Sequence, residues 1–147
     1  MDTSRFLAFL QTFDRIVKNI KRKEMSYMRE YGLRGVHTNC LLYMDNRSDG
    51  VTVTQLAKEC DSDKALVSRT VKELCQDGFI VTESDKSEKN YNKKYFLSEK
   101  GKELLDGLKK VICGYVAQAR SNISSDEMKI FYSVLGKFER NIAQITQ

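Results

Sequence analysis

Proline is absent from this chain of 147 residues, and histidine occurs once, at position 37. Without proline, no helix is broken by a residue that lacks an N–H and clashes with the preceding turn. With one imidazole, a histidine-rich zinc site cannot be assembled within a single chain, so no metal and no cofactor are expected. The four cysteines, Cys40, Cys60, Cys75 and Cys113, stand far apart and form no CxxC pair. Reduced, half-buried thiols are therefore expected rather than a disulfide framework. A Gly-rich phosphate loop, a GxSxG elbow and paired catalytic acids are also missing, which argues against an enzyme. No apolar run approaches the roughly 20 residues that span a bilayer. Met1 to Asn19 mixes Asp2, Arg5, Asp14, Arg15 and Lys18 among its apolar residues, unlike a signal peptide. The expectation is a cytoplasmic protein with no membrane partner.

The net charge of +5 suits a polyanionic partner. Its distribution is less simple. Met1 to Ala57 carries 9 basic and 6 acidic residues, Lys58 to Lys100 carries 9 of each, and the remainder carries 7 and 5. Nucleic-acid binding must then rest on where charges sit rather than on bulk charge.

Along the chain, Thr3 or Ser4 can cap a long helix with Phe6, Phe9, Leu10, Phe13, Ile16, Val17 and Ile20 at helical spacing, running through Met28 toward Gly32. A short helix is predicted over His37 to Met44, before the turn-rich Asp45 to Gly50. A long helix from Ser98 carries Leu104, Leu105, Leu108, Ile112, Tyr115, Val116 and Ala119 on one side. Ser124 and Glu127, three apart, form a capping box for a last helix with Met128, Phe131, Tyr132, Leu135, Phe138, Ile142 and Ile145. These long apolar stripes exceed what a small central domain covers. A symmetric homodimer is the economical way to bury them; a self-contained monomeric bundle is the alternative.

Between the long helices lies VTVTQLAKECDSDKALVSRTVKELCQDGFIVTESDKSEKNYNKKYFLSEKG, from Val51 to Gly101. Thr52 and Gln55 form a capping box for a helix over Val53 to Cys60, with Leu56 and Ala57 facing inward. Asp61-Ser62-Asp63 makes a turn, and Asp63 caps the next helix, where a negative charge suits the macrodipole. On a wheel of about 100° per residue from Lys64, residues Lys64, Ala65, Ser68, Arg69 and Lys72 fall between about 0° and 140°. Leu66, Val67, Thr70, Val71 and Leu74 fall between about 200° and 340°. A helix read into a DNA major groove needs that separation. Arg69 suits guanine O6 and N7, Ser68 a base edge or phosphate, and Ala65 a close approach or a thymine methyl. Lys64 and Lys72 suit phosphates, and Thr54 and Gln55 of the preceding helix are further candidates for DNA contact.

Past Gly78, Phe79-Ile80-Val81-Thr82 and Tyr95-Phe96-Leu97 read as paired strands. The loop between them carries Lys86, Lys89, Asn90, Lys93 and Lys94, a basic hairpin tip that can reach the minor groove or backbone. Glu83, Asp85 and Glu88 dilute that charge, and an ordinary solvated hairpin is the other reading.

The run VTQLAKEC-DSDKALVSRTVKELCQDGFIV, a following wing and LSEKGKEL resemble the MarR family of bacterial transcriptional regulators over nearly the whole chain. The resemblance implies a mainly α fold with a small β-wing. It implies one domain over 1–147, with a winged helix-turn-helix lobe at 33–97 and dimerisation helices at 1–32 and 98–147. It further implies a homodimer binding double-stranded DNA at a palindromic operator, as a repressor or, less often, an activator. A winged-helix protein-interaction module or a thiol-based redox-responsive regulator are the alternatives. The chain departs from the family in two places. Lys89-Asn90-Tyr91 replaces the usual Asp-Arg-Arg of the wing, leaving Lys89 or Lys93 to take the arginine's part. Asp61-Ser62 stands where Gly and an aliphatic residue are common. No cysteine precedes Cys40, which disfavours oxidation sensing from the first long helix.

Many members of that family bind small aromatic or anionic effectors between the dimerisation helices and the DNA-binding lobe. Met25, Met28, Tyr31, His37, Cys40, Leu41 and Met44 would wall such a pocket here. The same residues read equally as plain core where two helices cross.

Overall fold

The computed structural model describes residues 3–82 and 93–145. The described elements run α1 Thr3–Arg29, α2 Gly35–Met44, α3 Val53–Glu59, α4 Lys64–Gln76, β1 Ile80–Thr82, β2 Tyr95–Leu97, α5 Glu99–Ala119 and α6 Ser125–Ile145. They fall into two compact units, Met1–Ile112 and Cys113–Gln147, with α5 contributing to both. The fold is mainly helical with one small wing, as the sequence predicts.

In the first unit, the end of α1, one side each of α2, α3 and α4, Ile80 of β1 and the start of α5 share one core. Met28, Leu41, Leu56, Val67, Leu74, Ile80 and Leu105 are among its buried members. The strands pair antiparallel with Ile80 opposite Leu97, Val81 opposite Phe96 and Thr82 opposite Tyr95. Val51, just before α3, joins them through a reciprocal pair of backbone hydrogen bonds with Tyr95, at 3.0 and 2.9 Å. That bridge ties the entry of the helix-turn-helix to the return strand of the wing.

Helix ends follow the capping chemistry read from the sequence, with small shifts in boundary. Thr52 and Gln55 bond each other's backbone N–H groups at 3.2 and 2.8 Å, and α3 stops at Glu59 with Cys60 as its cap. Ser98 lies outside α5 and caps it, accepting from the Gly101 N–H at 3.0 Å. The strand β1 starts at Ile80 because Phe79 closes the end of α4. Gly78 has φ +76°, and the Phe79 N–H reaches back to the Leu74 carbonyl at 2.9 Å. Only a residue free to adopt positive φ allows that six-residue return without strain. The helix α2 begins two residues earlier than expected, at Gly35, with His37 three residues past its cap Arg34.

The α4 wheel needs one correction. Val67, Thr70, Val71 and Leu74 are buried, but Leu66 is 37% exposed. Leu66 sits at the margin of the apolar arc, about 20° from Glu73, and borders an open recess with Val36 and Arg34 rather than the core. In the second unit, α6 is opened by the Ser124–Glu127 capping box, with the Glu127 N–H bonded to Ser124 Oγ at 3.2 Å. The helix exposes Ile130, Phe131, Tyr132, Val134 and Ile145.

Candidate nucleic-acid interface

The presenting helix of the interface, α4, is held at its start by one carboxylate. Asp63 Oδ1 accepts from the backbone N–H groups of Ala65 and Leu66, both at 2.9 Å. Two of the otherwise unpaired donors of the first turn are thereby satisfied. The turn before it is tight. Asp61 has φ +45°, and the Ser62 N–H returns to the Ala57 carbonyl at 3.0 Å. An aspartate thus takes the left-handed position that glycine usually fills, a conformation that Asn and Asp tolerate better than other side chains.

With both ends of α4 set, Val67, Val71 and Leu74 bury one side, and Lys64, Ala65, Arg69 and Lys72 are exposed, with Ser68 half-buried. A groove of about 850 Å³ runs along the exposed side. Thr54, Lys64, Ala65, Ser68 and Lys72 line it from the helices, and Lys93 and Tyr95 line it from the wing. Three ammonium groups therefore border one channel, although Lys93 is 21 residues from Lys72 in sequence. Burial pushes the Cys75 thiol on the channel wall up, and the field of Lys93 offsets only part of that rise.

Arg69 stands apart from this channel. It borders a smaller recess of about 200 Å³, together with Arg34, Val36, Leu66, Thr70 and Glu73. Gln55 is exposed, but its amide oxygen is committed to the Thr52 N–H, leaving its amide nitrogen for an outside partner. Lys86, Lys89 and Asn90 lie outside the described residues.

The seven residues expected to wall an effector pocket do not share one environment. Met28, Cys40, Leu41 and Met44 are packed in the core of the first unit. Met25 and Tyr31 are exposed, and Tyr31 shares a hydroxyl contact of 3.2 Å with Tyr27. Cys40 Sγ is 3.9 Å from Cys60 Sγ, and both thiols are free. Burial pushes the Cys40 thiol up to about 12. A pocket with these walls would have to open that core.

His37 is buried and fully engaged. Its Nδ1 accepts from the Arg34 backbone N–H at 3.0 Å, and its Nε2 is 2.8 Å from Glu73 Oε2. The Arg34 guanidinium reaches the same carboxylate oxygen at 3.1 Å. The His37 contact, assisted by the charge of Arg34, holds the Glu73 carboxyl below the usual glutamate range. Sequence reading missed Arg34 and Glu73. The one signal was His37 itself, placed where a capping box puts its third residue.

Residues 31–89 match the sequence model of the MarR family. Over 105 residues the chain is 28% identical to YdgJ of Bacillus subtilis strain 168, described as an uncharacterized HTH-type transcriptional regulator. That alignment takes in 71% of this chain and 63% of YdgJ, so the chain spans a little under two thirds of the relative's length. Among solved structures it is similar to a MarR family protein from Bacillus stearothermophilus, with TM-score 0.80, 17% identity, and 97% and 99% of the two chains covered. It is also similar to a point mutant of S. aureus MepR bound to an oligodeoxyribonucleotide, with TM-score 0.64, 18% identity, and 91% and 97% covered. At these identities the structural likenesses establish the winged-helix fold.

Proposed function

We propose that the chain, whose residues 31–89 match the sequence model of the MarR family, is a sequence-specific DNA-binding transcriptional regulator of that family. It would act as a homodimer on a palindromic site, as a repressor. The observation that carries this reading is the channel along α4, where Lys64, Ser68 and Lys72 meet Lys93 of the wing. Ammonium groups on both banks suit a phosphate backbone, and Ala65 leaves room for a base edge. Arg69, at the outer margin of the same helix, is the candidate for a forked contact to guanine.

The dimer rests on apolar surface. Leu7, Leu10, Phe13, Ile16 and Val17 of α1 are exposed, as are Ile130, Phe131 and Ile145 of α6. A second copy covers such self-complementary faces at no cost in new sequence. Two recognition helices would then address half-sites about 34 Å apart. A small aromatic or anionic effector that favoured a mismatched dimer by roughly 2.7 kcal/mol would relieve repression about a hundredfold.

Selection from a random-sequence duplex library at near-physiological salt tests the function. Enrichment of an inverted repeat with half-sites one helical turn apart is the expected result. Retention of all sequences alike would leave only non-specific binding. A stable monomer in sedimentation at micromolar concentration would remove the dimer.

A further inference from the structure

We propose that Arg34 and His37 are specificity-determining positioning residues, which hold the Glu73 carboxylate away from Arg69. The inference rests on the DNA-binding function above. Glu73 follows Arg69 by four residues on α4, the spacing at which carboxylate and guanidinium pair on a helix surface. Both line the same recess. A carboxylate free to make that pair would neutralise the one arginine on the exposed side of α4. In the structure Glu73 Oε2 is instead taken by Arg34 Nη2 at 3.1 Å and His37 Nε2 at 2.8 Å.

The geometry of His37 makes this hold directional. Its Nδ1 accepts a backbone N–H from Arg34, so in the neutral ring the proton lies on Nε2 and is donated to Glu73. The ring is buried with both nitrogens used, and cannot turn without losing two hydrogen bonds. The hold sits at the start of α2, on its cap Arg34 and on His37, and is formed in the protein without DNA. Arg34 is the accessible half of the device and His37 the buried half.

The test uses a labelled duplex selected by the wild-type protein, and a scrambled duplex of equal length. Arg34→Ala, which leaves the His37 hold in place, is expected to weaken binding to the selected duplex a few-fold, and Arg34→Ala with His37→Leu about tenfold, the value of one good guanine contact. Binding to the scrambled duplex and its salt slope are expected to stay as in wild type. Adding Glu73→Gln to either variant is expected to return most of the lost affinity, since the amide carries no charge to capture Arg69. A merely structural role predicts equal losses on both duplexes and no rescue, and either result overturns the proposal. Arg34 is exposed, so Arg34→Ala keeps the test valid should the His37→Leu protein not fold. A wild-type protein that selects no duplex overturns the DNA-binding function and this proposal together. A wild-type protein that does select one, beside variants that bind it unchanged, overturns this proposal alone.

Discussion

Arg69 and Lys72 lie one turn apart on α4 and border different recesses. Lys72 lines the channel shared with Lys93 of the wing, and Arg69 lines the smaller recess beside Arg34 and Glu73. Their side chains diverge by about 60° around the helix. Under the proposed function, this geometry predicts a division of labour, with phosphate binding on the wing side and base reading at the outer margin.

Arg69→Ala is expected to relax base preference, costing about 1–3 kcal/mol on the selected duplex and little on a scrambled one. Lys72→Ala is expected to weaken both duplexes and to lower the salt slope by about one unit. Fluorescence anisotropy over a salt series separates the two. An Arg69→Ala protein with full affinity and unchanged preference would remove this residue from the interface.

Asp63 caps α4 through two backbone N–H groups. Asp63→Ala is expected to cost about 1 kcal/mol of folding stability, measured by urea unfolding. Asp63→Asn keeps an acceptor oxygen and is expected to lose much less.

Asp61 occupies the left-handed region at φ +45°. Asp61→Gly is expected to stabilise the fold by up to about 1 kcal/mol, relief of backbone strain outweighing the added freedom of the unfolded chain. A lower unfolding midpoint for this variant would show that the aspartate side chain is needed at the turn.

Gly101 is closed in by Phe79. A Cβ built at this position would collide with the Phe79 backbone carbonyl oxygen and sit 3.2 Å from Leu97 Cδ2. Backbone cannot move aside as a flexible side chain does, so Gly101→Ala is expected to destabilise by about 1–3 kcal/mol. A thermal midpoint equal to wild type would contradict this tight crossing.

Glu73 carries a pH dependence of defined sign. Its carboxyl is held below the usual range by the His37 hydrogen bond and then by the charge of Arg34. A carboxyl whose pKa is lower in the folded state stabilises the fold above its unfolded pKa, and loses that contribution as pH falls through the folded value. Glu73→Gln is therefore expected to melt below wild type at neutral pH. The gap is expected to close as pH drops below the ordinary glutamate value of roughly 4.3. A gap that persisted in acid would show that the carboxylate charge contributes nothing there.

Much of the lobe was legible because its signals are local. The Thr52–Gln55 and Ser124–Glu127 boxes and the Asp63 cap each involve residues within three positions, and each forms as read. The α4 wheel assigned four of its five inward residues correctly, since helical period alone sets them. Leu66 failed because the width of the buried arc depends on which neighbour packs there. Period carries no information about that. The suggested effector wall mixes core with surface for the same reason, since Met25 and Met28 lie nearly one turn apart yet differ in burial.

The sequence by itself determined the element order, most of the caps and the polar side of α4, because hydrogen-bond demand and helical period act over a few residues. Tertiary structure decided the rest. It brought Lys93 to the bank opposite Lys72 and joined Val51 to Tyr95. It placed His37 and Arg34 on Glu73, more than 30 residues away. Such pairings depend on how α2, α4 and the wing pack in space, and no local pattern in the chain records them.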